Sequence, residues 1–87
     1  MHISKPELLR VGKSDECGCP EEEWDINGVF TTIHLDGDGS AGIFISGDGW
    51  EDEKLVTCNN MPDLRRLAQE WIYSLQAEAA QQGGDDS

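Results

Sequence analysis

Cys17, Cys19, Cys58 and His34 are the residues of this chain with the clearest capacity for metal chemistry. Three thiolates and an imidazole are an accepted tetrahedral set for zinc. Cys17-Gly18-Cys19, however, has Cys-x-Cys spacing where a zinc ribbon has Cys-x-x-Cys, and His34 has an alternative partner in Glu21. The expected role of the cysteines is therefore packing or free thiol, reduced in a cytoplasmic setting, since the N-terminus shows no apolar leader run. Asp36-Gly37-Asp38-Gly39-Ser40 sets oxygens at alternate positions like the start of a calcium loop. Ala41 then stands where an EF-hand needs glycine, and Gly47 where it needs glutamate, so the segment reads as a hairpin turn. Carboxylates are too abundant for any pair to be singled out as a general acid and base. Phosphate-loop, nucleophile-elbow and metalloprotease motifs are missing from the sequence. The expectation is a protein without catalysis, cofactor or metal.

The elements that must position these residues follow from periodicity. Glu22, Trp24 and Ile26 alternate with Glu21, Glu23 and Asp25. Asn27-Gly28 is the pair favoured in a two-residue hairpin turn, and Val29 to Leu35 continues in strand-forming residues. That turn pairs Ile26 with Val29 and Trp24 with Thr31. It puts Trp24, Ile26, Val29, Ile33 and Leu35 on one face, and Glu21, Glu23, Asp25, Phe30, Thr32 and His34 on the other. Gly42 to Ser46 reads as a third strand, Gly47 to Asp52 as a turn and Glu53 to Cys58 as a fourth strand. Asn60 is a candidate N-cap with acidic Asp63 behind it, followed by Leu64, Leu67, Ala68, Trp71, Ile72, Leu75 and Ala79 at helical spacing. Ser4-Lys5-Pro6-Glu7 resembles a helix start, so a short helical turn is predicted over Glu7 to Arg10. The fold class is α+β: a four-stranded antiparallel meander packed on one C-terminal helix. One domain spans 1–82, with an acidic disordered tail at 83–87.

Charge dominates what remains. Eighteen acidic residues stand against six basic ones, for a net −12 in 87 residues. A field of that sign repels phosphate, which excludes direct nucleic-acid binding and favours a basic protein surface as partner. No run approaches the roughly 20 apolar residues of a membrane-spanning helix. Strand reversal puts Asp15, Glu16, Glu21, Glu22, Asp36 and Asp38 at one end of the sheet, and Asp25, Asp48, Glu51, Asp52 and Glu53 at the other. Glu21, Glu23 and Asp25 repeat outward at roughly 6.7 Å, about two base steps of a DNA strand. Phe30 and Phe44 are candidate aromatic anchors in this acidic surround, unless Leu8 and Leu9 of the N-terminal turn cover them. Trp50, on the loop with Asp48, Glu51 and Asp52, is expected to be an exposed anchor.

Short length, the acidic blocks Glu21-Glu22-Glu23 and Glu51-Asp52-Glu53, and the lack of an export signal or catalytic motif give a profile that resembles the small acidic phage-encoded inhibitors, including anti-CRISPR proteins and DNA mimics. The resemblance is one of profile, and it transfers no individual residue role. It implies an inhibitor acting in the host bacterial cytoplasm on a Cas effector, restriction enzyme or similar nucleoprotein. Separately, the edge strand Glu53 to Cys58 could pair with a copy of itself, but its charges favour a monomer over a homodimer. Two other classes stay open: an adaptor subunit docking through Trp71 and Tyr73 or the exposed phenylalanines, and a zinc-stabilised accessory domain.

Overall fold

The computed structural model describes residues 5–13 and 18–85. Ser4, Asp15, Glu16, Cys17, Asp86 and Ser87, which enter the sequence reading, lie outside them. Five strands and one helix follow in order: β1 (Glu7–Lys13), β2 (Pro20–Ile26), β3 (Val29–Leu35), β4 (Ser40–Gly47), β5 (Trp50–Thr57) and α1 (Met61–Asp85). The strands form one antiparallel sheet in sequence order, so each is hydrogen-bonded to its chain neighbour.

The β2–β3 hairpin has the register that Asn27-Gly28 predicts: Ile26 faces Val29 and Trp24 faces Thr31. Asn27 and Gly28 both take positive φ, 52° and 87°, the combination of a type I′ turn whose twist matches that of its strands. The Asp25 carboxylate accepts the Gly28 N–H at 3.0 Å and completes the turn. At the start of α1, the Asn60 side chain accepts the Asp63 N–H at 2.9 Å and donates to the Asp63 carboxylate at 3.1 Å. This is a reciprocal cap that satisfies one of the first-turn donors.

The core is the layer between α1 and one sheet face. Ile26, Val29, Ile33, Ala41, Ile43, Ile45 and Cys58 meet Leu64, Ala68 and Ile72 there, all buried. Leu67, Trp71 and Leu75 of the predicted stripe pack at its margin, whereas Ala79 is exposed. Thr31 is also buried, and its hydroxyl donates to the Val29 carbonyl at 3.1 Å. At the far end Gln76 clasps the hairpin turn: Asn27 Nδ2 donates to its Oε1 at 2.7 Å, and its Nε2 donates to the Asn27 carbonyl at 3.1 Å.

The structure corrects the sequence reading at β1 and at the start of β5. Glu7 to Arg10 is no helical turn; it belongs to β1, so the sheet has five strands rather than four. Pairing with the free edge of β2 supplies hydrogen bonds that an isolated helical turn cannot, since short helices nucleate poorly. A shift of register between Leu8 and Arg10 hides the alternation that marks the other strands. β5 likewise begins at Trp50, because the β4–β5 turn needs only Asp48 and Gly49, with Gly49 at φ 79°. Helix α1 runs through Gly83 and Gly84 to Asp85.

Candidate functional site

The face of the sheet away from α1 is uncovered by any other described element. The strand registers arrange its side chains in three rows across the five strands. One row runs Glu7, Asp25, Phe30, Ser46, Glu51, and the next runs Arg10, Glu23, Thr32, Phe44, Glu53. The third runs Gly12, Glu21, His34, Gly42, Leu55. Phe30 and Phe44 therefore occupy adjacent central strands, with acids on β2 to one side and on β5 to the other. Phe30 is 44% exposed and Phe44 39%. Because Leu8 and Leu9 are drawn into β1, they do not cover the phenylalanines, which was the other arrangement the sequence allowed. A groove of about 480 Å³ runs between the rings and β5, lined by Phe30, Thr32, Phe44, Ser46, Glu51 and Glu53 among others.

Two glycines shape this surface. His34 stacks on Phe44 with ring centroids 5.8 Å apart and planes 14° apart. The imidazole lies across Gly42, where a β-carbon would come within 2.8 Å of it. Gly42 thus holds the stack flat against the backbone. Gly47 does the same for Trp50, whose indole fills the space a side chain at 47 would take. Trp50 remains 44% exposed, as an anchor at the end of β5 instead of on a loop.

The acids divide into paired and unpaired sets. On β2, Arg10 reaches Glu21 at 3.4 Å and Glu23 at 3.3 Å, so the predicted carboxylate row is partly neutralised by its own neighbouring strand. That pairing depends on β1, which the sequence reading did not contain. Asp36 and Asp38 serve their turn. The Ser40 hydroxyl donates to Asp38 at 2.6 Å and to Asp36 at 3.3 Å, and Asp36 also meets His34 Nε2 at 3.1 Å. The Ser40 hydroxyl holds the Asp38 carboxyl below its ordinary range. Asp48, Glu51, Asp52 and Glu53, in contrast, have no cationic partner among the described residues. Asp52 departs from its neighbours in parity, pairing with inward-facing Ile45, and its carboxylate accepts the Glu53 N–H at 2.8 Å.

Glu22 leaves the predicted surface altogether. It shares parity with Trp24 and Ile26 and is buried at 6% exposure beneath the helix. There Arg65 grips it with two hydrogen bonds, Nε to Oε1 at 2.8 Å and an η-nitrogen to Oε2 at 2.6 Å. Trp24 Nε1 donates a third at 2.7 Å, while the Arg65 guanidinium lies 5.6 Å from the Trp24 ring centre. Chiefly through the Arg65 hydrogen bonds, the Glu22 carboxyl is held below its ordinary value of 4.5 despite burial, which opposes ionisation. This pair joins sheet to helix and is unavailable to a partner.

Of the metal candidates, Cys17 lies outside the described residues, and Cys58 and His34 stand on opposite sides of the sheet. Cys58 is a free thiol, buried toward the helix and donating to the Asn60 carbonyl at 3.1 Å, whereas His34 stands on the open face. Cys19 is disulfide-bonded, a correction to the expectation of reduced thiols throughout. No group of three or more His, Cys, Asp or Glu among the described residues is placed to hold a metal ion. Trp71 and Tyr73 are both partly buried, and Lys54 lies 5.5 Å over the Trp71 ring. The adaptor reading is therefore better served by the phenylalanines. Among the described residues, no helix is long and apolar enough to cross a membrane. No protein-family model matches the chain, and neither do any curated proteins or solved structures.

Proposed function

We propose that this protein is a non-catalytic inhibitor that seats its open sheet face on the basic surface of a nucleic-acid-binding protein or nucleoprotein complex, of the Cas-effector or restriction-enzyme kind. The observation that carries the reading is the pair of exposed rings, Phe30 and Phe44, beside the uncompensated carboxylates Glu51 and Glu53. Aromatic anchors at the centre of a contact supply most of its affinity when water is excluded around them. A rim of one sign steers encounter with the opposite sign and disfavours other partners. Lysines and arginines that hold DNA or RNA phosphates present that opposite sign, and a protein engaged by these carboxylates cannot at once engage nucleic acid. The proposed setting is the cytoplasm, inside a host bacterium if a phage encodes the chain. A cytoplasmic redox poise would tend to reduce the bond at Cys19 while leaving buried Cys58 as it is.

A pull-down from bacterial lysate at low salt tests this. The expected product is a basic nucleic-acid-binding protein, released by added duplex DNA or by salt and lost when the bait carries Phe44→Ser or Glu53→Lys. A partner that stays bound at high salt, ignores DNA and is lost only with Phe44→Ser would identify an adaptor docking through the aromatic pair.

A further inference from the structure

The two edges of the sheet are built differently. β1 is interrupted by the register shift at Leu8/Arg10 and carries Gly12 and Lys13 at its end, features that discourage a further strand from pairing. β5 has neither the register shift nor a glycine, and its one lysine, Lys54, points toward the helix side over Trp71. Its register with β4 is unbroken through eight pairs, from Gly47–Trp50 to Ser40–Thr57, and it contains neither proline nor glycine. Seven of its eight residues are exposed, Leu55 most of all at 78%. About half of those residues direct a backbone N–H and C=O away from β4, and no described segment meets them. Its guard is the run of charges Glu51, Asp52, Glu53 and Lys54.

Such a guard is selective. A two-fold pairing of β5 with a second copy that keeps both open faces together must centre a residue on itself. Centring on Asp52 or Lys54 opposes like charges, and centring on Glu53 sets two carboxylates together between two Asp52–Lys54 pairs. Centring on Leu55 opposes no like charges, so the dimer is an arm of the test below. A basic strand meets the reverse situation. Its outward side chains would lie beside Glu51 and Glu53, and its inward ones beside Asp52 and Lys54, whose ammonium lies 5.5 Å from the Trp71 ring centre. Leu55 gives an apolar neighbour to the same strand.

We infer that β5 is a docking edge at which an extended basic segment of the partner adds to the sheet, with Lys or Arg across from Glu51 and Glu53 and apolar residues on the helix side. Main-chain hydrogen bonds supply affinity in this mode, and alternate side chains supply specificity. The inference rests on the charge-complementary reading above and adds its geometry.

The test uses the full chain and two labelled octapeptides of alternating Lys and Val, identical in charge, one N-methylated at every peptide nitrogen. Affinity is read by fluorescence anisotropy at low salt, and backbone exchange by NMR. The expected result is binding at least about tenfold tighter for the unmethylated peptide, with slowed exchange at β5 amides. A tenfold ratio corresponds to about 1.4 kcal/mol, the scale of one or two net hydrogen bonds. Equal affinity for both peptides would overturn strand addition and leave attraction by charge standing; binding by neither would overturn both. Protection at β1 instead of β5, or a dimer protected at β5 before peptide is added, would assign the edge to another use and also overturn the inference.

Discussion

Glu22 and Arg65 share an ion pair but not an environment. The Glu22 side chain is 8% exposed and that of Arg65 is 38%, so the two partners do not suffer equally when separated. Arg65→Met leaves a carboxylate buried with only the Trp24 N–H, whereas Glu22→Gln leaves a guanidinium that can turn toward water. Urea unfolding should therefore show the larger loss for Arg65→Met, about 2–4 kcal/mol, against about 1–2 kcal/mol for Glu22→Gln. The double variant Glu22→Leu with Arg65→Met should recover part of that loss, because an apolar pair owes no desolvation. The pH dependence follows from the same pair. Its carboxyl is held below 4.5 in the folded state, so the stabilisation is fully present above that value and is lost as pH falls through the lower folded one. In acid, the wild type and Glu22→Gln should converge. In the sequence Glu22 alternates in phase with Trp24 and Ile26, yet the reading of charge sets it among the surface acids, so its burial is a correction. Its partner was not legible there, because Arg65 lies 43 positions away and nothing local marks it.

At the scale of elements, what was legible is what adjacent residues decide. Asn27-Gly28 determines a turn and, through it, the face of every residue from Glu21 to Leu35; the reciprocal cap of Asn60 and Asp63 determines where α1 begins. Gly28 at φ 87° is the residue on which that register depends. Gly28→Val should lower stability by about 1–2 kcal/mol in thermal unfolding, since a side chain disfavours the left-handed region. A smaller loss would mean that the Gln76 clasp on Asn27 carries the turn by itself. β1 was not legible because its structure is imposed by β2, and the cap-like Ser4-Lys5-Pro6-Glu7 competes with it. Its arrival changes the candidate site, for Arg10 compensates Glu21 and Glu23 while no cation among the described residues pairs with Glu51 or Glu53. Reversing Glu51 and Glu53 to lysine should accordingly weaken partner binding more than reversing Glu21 and Glu23, by at least about tenfold in Kd, or about 1.4 kcal/mol. Circular dichroism would verify that both double variants keep the fold. Equal losses would place the contact across the whole face instead of toward β5.

At the scale of the whole molecule, the net charge of −12 is carried by a sheet and one helix whose core is a single layer. Among the described residues, three arginines hold the ion pairs with Glu21, Glu22, Glu23, Asp63 and Glu70, which leaves a large excess of carboxylates acting on one another. Added salt acts in opposite directions on these two populations: it weakens the few attractions and screens the many repulsions. Repulsion should prevail, because the Glu22–Arg65 pair is partly buried and poorly screened while the unpaired acids are exposed. The melting temperature should therefore rise between low salt and about 0.5 M NaCl, by about 4–8 °C if screening returns about 1 kcal/mol. Glu51→Gln with Glu53→Gln should raise the low-salt melting temperature and shorten the salt response together, since it removes repulsion at its densest point. Partner association should move the opposite way, slowing as salt rises. If salt strengthens the fold and weakens the complex over one concentration range, the same carboxylates are destabilising the free protein and recruiting its partner. A fold indifferent to salt would mean that the acids are dispersed widely enough to be solvated singly, and the steering argument would lose its source.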